Sequence, residues 1–195
     1  MSAAAQRKPS PKTLTYEDYL AEGETPGRYE IVDGVRHWMT NSTVGHNLIV
    51  TRILNKLMAY EEERGGVITL PSPVDVLTFR DPLKIRQPDA SLISRERFGD
   101  RDLFDPSPLK IAPELVVEVL SPSETKRSIQ KKMTEYAAVD VVECWVVVPT
   151  AQSVEQWRLK RGEMPLLVKT FAEGDALASI AFPDLQIGVA PIFRK

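Results

Sequence analysis

Pro113-Glu114-Leu115-Val116-Val117-Glu118-Val119-Leu120-Ser121 is rich enough in apolar and β-branched residues to form a strand buried on both faces. It nevertheless carries a carboxylate at its centre. A buried carboxylate is destabilising by several kcal/mol unless it is paired or bound to a metal, so Glu118 requires a partner. Directly after it, Ser121-Pro122-Ser123-Glu124 reads as the start of a helix that runs to about Ala138. The apolar run Val142 to Val148 then reads as a second buried strand. Strand, helix and strand with an acid between them point to an α/β fold and a site at that acid.

The helix narrows the search for the partner. Ile129, Lys132, Met133, Tyr136 and Ala137 recur at i, i+3, i+4, i+7 and i+8, which makes them the inward stripe. Lys132 lies on that stripe, whereas Lys131 is turned about 100° away. A lysine in such a place can snorkel to solvent. With a carboxylate on the preceding strand, pairing is the alternative.

Upstream, Lys84 to Ile93 leads into another strand, with Pro88-Asp89 before its apolar positions. On its own this is a turn signal. Set beside Glu118 on a neighbouring strand, Asp89 would supply a second oxygen donor for Mg²⁺, which favours carboxylates and water. Two carboxylates, a divalent ion and a lysine suit phosphodiester hydrolysis, because the cations offset charge that develops on the phosphoryl oxygens.

The remaining chain gives a short helix at Leu14–Ala21 capped by Thr15 and a hairpin at Tyr29–Met39 turning at Asp33-Gly34. Glu30 alternates with Ile31 and reads as an edge or surface residue. Val44–Glu63 is the longest helix, with His46, Ile49, Ile53, Leu57 and Tyr60 on one stripe and Gly65-Gly66 as its stop. Strands are expected at Val67–Leu70, Val74–Phe79, Ser153–Leu159 and Pro165–Phe171. Arg95–Lys110 reads as a polar surface loop, and Ala176–Phe193 as short apolar pieces.

Composition limits the function. The 195 residues suggest a single domain over 13–195 after a disordered tail at 1–12. A net charge of −2 gives no general nucleic-acid signal, so phosphate contacts need a local basic patch. The candidates are Arg95, Arg97, Arg101, Lys126, Arg127 and Lys131. One cysteine, Cys144, excludes an internal disulfide and reads as a core residue; two histidines exclude a histidine-rich metal site. No apolar run approaches the ~20 residues of a membrane span, and the N-terminus lacks a signal-peptide core, so a cytoplasmic protein is expected. There is no G-x-S-x-G, phosphate-binding glycine loop or dinucleotide fingerprint. Ser121 and Ser123 have no histidine near them in sequence to act as base.

Taken in order, Tyr29-Glu30-Ile31-Val32-Asp33-Gly34, His46, Pro88-Asp89, the Pro113–Ser123 block, Lys132-x-x-x-Tyr136 and Glu143-Cys144-Trp145-Val146-Val147 form a familiar set. The chain resembles the Uma-two family of restriction-endonuclease-like proteins, within the PD-(D/E)xK nuclease superfamily, from about Leu14 to Phe193. The resemblance implies an α/β restriction-endonuclease-like fold, a mixed central sheet flanked by helices. It also implies Mg²⁺-dependent cleavage of DNA, with Mn²⁺ as a substitute and a water on the ion as nucleophile. Asp89 and Glu118 would be metal ligands and Glu30 a further one, direct or through water. Superfamily members place a lysine two residues after the second acid, where this chain has Leu120. The resemblance moves that cation to the next helix, onto Lys132. His46 would contact phosphate or tune Glu30. Ser128, where relatives carry an aspartate, Ala138-Val139-Asp140 and Val148 depart from the family pattern.

Two other classes compete with a nuclease. One is a non-catalytic DNA-binding or protein-partner module that retains the fold. The other is a small-molecule hydrolase with the same metal site. A homodimer is expected for cleavage of both strands of a duplex, which needs two sites or two events.

Overall fold

The computed structural model describes residues 13–23, 25–39, 42–105, 107–121 and 124–194. The tail expected at 1–12, and Pro122 and Ser123 of the expected helix start, lie outside them. In chain order the elements are α1 (Tyr16–Glu22), β1 (Tyr29–Val32), β2 (Val35–Trp38), α2 (Val44–Arg64), β3 (Val67–Pro71), β4 (Val76–Arg80), β5 (Leu83–Arg86), β6 (Ala90–Ser94) and α3 (Arg95–Phe98). They continue with β7 (Leu115–Val119), α4 (Lys126–Ala138), β8 (Glu143–Val148), β9 (Ser153–Arg158), β10 (Leu166–Phe171), β11 (Ala176–Ala178), β12 (Gln186–Gly188) and α5 (Ala190–Phe193).

Six strands form a mixed sheet in the order β10-β9-β8-β7-β6-β3. Its parallel pair is β7 and β8, joined through α4, as a crossover connection requires. Strand alternation sorts β7 between two layers. Leu115, Val117 and Val119 pack with Ile49, Ile53 and Leu57 of α2, together with Trp145 and Val147. Val116 packs with Ile129, Met133, Tyr136 and Ala137 of α4, and with Cys144 and Val146. Glu118 has the parity of Val116 and therefore faces α4. Central strands covered by helices on both faces explain the almost unbroken apolar run of β7. Cys144 is fully buried, as its surroundings in sequence suggested.

A second sheet, β2-β1-β5-β4, is antiparallel throughout. Its own core holds Tyr16 and Tyr19 of α1 with Tyr29, Ile31, Leu83 and Ile85. The β1–β2 turn puts Asp33 at φ 52° and Gly34 at φ 76°, the left-handed pair a tight hairpin needs. A side chain at Gly34 would stand 2.3 Å from Thr13 Cγ2. Because β1 is flanked by β2 and β5, Glu30 is neither an edge nor a surface residue: it is 9% exposed.

Two further expectations are corrected. Helix α4 begins at Lys126, because Thr125 and Ser128 form a reciprocal cap: Ser128 N–H donates to Thr125 Oγ1 at 3.1 Å, and Thr125 N–H to Ser128 Oγ at 3.0 Å. That cap is the work Ser128 does in this chain. Arg95–Lys110 is not all loop either. It opens with α3 behind a Ser94 cap, and Leu109 bridges in parallel to Val76.

Candidate active site

The site is assembled by register. Ala90 pairs with Val117 and Ser91 with Val116 across antiparallel β6 and β7. One further step places Asp89 opposite Glu118. The backbone confirms that approach: Asp89 N–H donates to Val117 O at 3.0 Å, and Val119 N–H donates to Asp89 Oδ2 at 2.8 Å. Two acids distant in sequence thus meet at the end of one strand pair.

Glu118 is held from α4. Tyr136 Oη donates to its Oε1 at 2.6 Å, and Lys132 Nζ to its Oε2 at 3.1 Å. Lys132 and Tyr136 are i and i+4, so they stand one above the other on the buried stripe. Burial pushes the Glu118 carboxyl up to about 7; Lys132 opposes this, and the Asp89 and Glu30 charges add to it. Burial also pulls on Lys132, but Glu118, Glu30 and Glu124 together hold its ammonium well above the usual lysine range. Glu124 Oε1 lies 3.3 Å from Lys132 Nζ.

Asp89 has different neighbours. Arg28 donates from Nη2 to Oδ1 at 3.0 Å, and His46 Nε2 lies 3.2 Å from the same oxygen. Burial acts to raise the Asp89 carboxyl, but the His46 bond, the Val119 N–H and the Arg28 charge outweigh it and hold it below the ordinary aspartate range. His46 therefore meets Asp89, where the resemblance linked it to phosphate or to Glu30. It comes from the first turn of α2, where Thr43 caps the helix.

Glu30 enters from the other sheet. Its Oε1 lies 3.0 Å from Lys132 Nζ, yet finds no hydrogen bond of acceptable angle, and its Oε2 accepts from Arg86 Nη1 at 2.6 Å. Arg86 Nε donates to Glu135 Oε2 at 2.7 Å, and Lys84 Nζ stands 3.6 Å from Glu135 Oε1. The Glu118–Lys132–Glu30–Arg86–Glu135–Lys84 chain runs from the site toward the surface turn at Asp33, 3.3 Å from Lys84. Arg28, Arg86, Glu124 and Glu135 were not read as site residues. Arg86 left one signal, a cation at a strand position beside Ile85. Of the basic candidates, Arg97 is committed to Glu114 and to the carbonyls of Ala112 and Asp140. With Arg95 and Arg101 it follows the far end of β6 from Asp89. Lys131 pairs with Asp33, and Lys126 and Arg127 are exposed at the start of α4.

Asp89 and Glu118 are the residues that could hold a divalent ion. They offer hard oxygen donors of the type Mg²⁺ prefers, and one or two carboxylates with water suffice for it. The Asp89 and Glu30 charges both act to raise the Glu118 carboxyl, so three acids share one place. Among the described residues, no three His, Cys, Asp or Glu side chains gather closely enough to enclose a metal. The fit is therefore to an ion on two carboxylates, open to water, and not to a protein cage.

No described helix is long and apolar enough to cross a membrane. No curated protein matches the chain. Among solved structures, one described as a "putative nuclease belonging to DUF820" from Anabaena variabilis superposes with a TM-score of 0.72 at 18% identity, covering 92% of this chain and 97% of that one. That similarity shows the fold, the mixed sheet flanked by helices described above. The family model Uma2, "Putative restriction endonuclease", matches residues 15–190, and the chain belongs to this family.

Proposed function

We propose that this protein is a metal-dependent endonuclease that hydrolyses DNA phosphodiester bonds. One observation supports the reading above the others: the buried Lys132 ammonium lies 3.1 Å from Glu118, and Glu118 faces Asp89 one step along the β6–β7 register. A cation beside two facing carboxylates is the charge arrangement that phosphoryl transfer to water uses. Membership of a restriction endonuclease family agrees with it.

Asp89 and Glu118 would hold Mg²⁺ or Mn²⁺, with Glu30 acting through water. The ion when bound would lower the pKa of a coordinated water and offset phosphoryl charge. Lys132, fixed by three carboxylates, orients the attacking water or meets the charge growing on the phosphoryl oxygens. His46 and Arg28 fix the Asp89 rotamer through Oδ1. Tyr136 fixes Glu118. Two copies would be required to cut both strands in one encounter, so a homodimer belongs to the proposal.

A second reading is favoured by one observation. In this structure each carboxylate already has a cationic neighbour, Arg28 on Asp89 and Lys132 on Glu118. A non-catalytic module that keeps the fold and binds DNA or a protein partner would need nothing more. Supercoiled plasmid with Mg²⁺ or Mn²⁺ separates the two. Nicking that is lost in folded Asp89→Ala and Lys132→Ala variants supports the nuclease. Nicking indifferent to both substitutions sinks the assigned residues, and DNA retention without cleavage supports the binding module.

A further inference from the structure

A cavity of about 480 Å³ opens beside Asp89, between the first turns of α2 and the end of the β1–β2 hairpin. Its apolar wall is Met39, Val50 and Leu54; its polar groups include Arg28, Asn47 and Ser72. Asp89 is the one acid among the residues that line it, so the cavity meets the candidate site at that carboxylate. The Ser72 hydroxyl is buried there without a hydrogen-bond partner. Trp38, next to Met39, is 59% exposed.

An apolar wall with a few convergent polar groups is the make-up of a small-molecule pocket, and the volume falls in the usual range of ~300–1,000 Å³. Its neighbour is a site for phosphodiesters, so the groups that must be placed near it are nucleobases. A base stacked in a duplex shows only its edges. A base that has left the stack can lay its face on apolar or aromatic side chains and turn its edge to polar groups. The bare Ser72 hydroxyl and the Asn47 amide are groups of that kind, and the Arg28 guanidinium has donors suited to phosphate.

We propose that this cavity is a nucleotide pocket that seats one unstacked base of the substrate strand against Val50 and Leu54, with Asn47 and Ser72 at its edge and Arg28 toward a neighbouring phosphate. The proposal rests on the nuclease reading and deepens it. The substrate is a single strand, or a duplex from which one base is turned out.

The experiment uses the whole protein with a chelator present, so that binding is read without cleavage, and oligonucleotides carrying 2-aminopurine, whose emission rises on unstacking. Single-stranded and duplex versions distinguish the two sources of the base. Saturable brightening is expected in at least one of them. Val50→Trp, which fills the cavity, and Asn47→Ala, on an exposed position where folding is not at risk, should each weaken binding, Val50→Trp by roughly tenfold or more, the scale of one lost stacking contact. Binding without brightening, or wild-type affinity in both variants with circular dichroism unchanged, overturns the pocket. Brightening without plasmid cleavage in Mg²⁺ leaves the pocket standing and removes the nuclease. Wild-type cleavage by both variants removes the pocket and leaves the nuclease. A protein that binds neither oligonucleotide removes the pocket, and plasmid cleavage in Mg²⁺ then decides the nuclease.

Discussion

Lys132 Nζ lies 3.1 Å from Glu118 Oε2 where α4 packs on β7, and both side chains are less than a tenth exposed. The pair is largely enclosed: Tyr136 holds the other carboxylate oxygen, and Glu30 arrives from the second sheet. Its energetics follow from that enclosure. Attraction between such charges is opposed by the cost of taking both out of water, so the pair itself adds little stability, whereas loss of one partner strands the other.

Lys132→Ala should therefore destabilise the fold by about 3–5 kcal/mol, the usual cost of an uncompensated buried charge. The double variant Glu118→Gln with Lys132→Met, close in volume and neutral, should recover most of that loss without recovering activity. Urea denaturation of Glu118→Gln, Lys132→Met and the double variant completes the cycle. A double variant no more stable than the worse single would contradict the burial argument.

His46 acts on Asp89 through one contact at 3.2 Å, so His46→Ala should leave the fold intact and loosen that carboxylate. Groups that orient a ligand typically contribute 10–100-fold to metal affinity or activity. A rise of about that size in the Mg²⁺ concentration for half-maximal nicking is expected. His46→Ala with an unchanged metal titration would assign the histidine to phosphate instead.

Glu143 is a buried acid outside the site, and its role is structural. Its Oε1 accepts from Trp145 Nε1 at 2.7 Å and Gln156 Nε2 at 2.6 Å, and its Oε2 from Ser179 Oγ and the N–H groups of Ile180 and Ala181. No cation is needed, because five donors converge on one carboxylate and tie β8 to the C-terminal segment. Glu143→Ala should cost about 3–5 kcal/mol, as removal of a fully bonded buried charge does. The melting temperature should fall by roughly 6–20 °C at 2–4 °C per kcal/mol for this size. Nicking at a permissive temperature should persist.

Tyr19 and Tyr29 both donate to Asp75 Oδ2. Burial raises both phenols above the usual tyrosine range, and the Asp75 carboxylate adds to the shift, while Arg36 over the Tyr29 ring opposes it. The folded state thus keeps protons that the unfolded chain releases near pH ~10. Above that pH the unfolded state binds fewer protons, so stability must fall as pH rises. Urea midpoints should drop between about pH 9 and pH 11, and less so in Tyr19→Phe. A midpoint indifferent to alkali would mean these phenols ionise normally.

Much of the layout was legible because periodicity reports burial. The apolar run of β7, the stripe of α4 and the Asp33-Gly34 turn all stand where their patterns put them. Glu30 was misjudged for a definite reason. Alternation tells which face a residue takes; it cannot tell that β5 flanks β1 on one side and α4 closes over the other. The resemblance linked His46 to phosphate or to Glu30, and the contact with Asp89 was out of reach because helix phase does not tell which strand end lies below a side chain.

The residues by themselves determined that Glu118 must be met by a partner and that Lys132, not Lys131, points inward, because both follow from local geometry and the cost of burying charge. Which groups come together was decided only by tertiary structure. Antiparallel register brings Asp89 opposite Glu118, and the packing of two sheets around α4 carries Glu30 to Lys132, with Arg86 on its other oxygen. Those contacts join residues tens of positions apart, and no local pattern records the docking of one sheet on another.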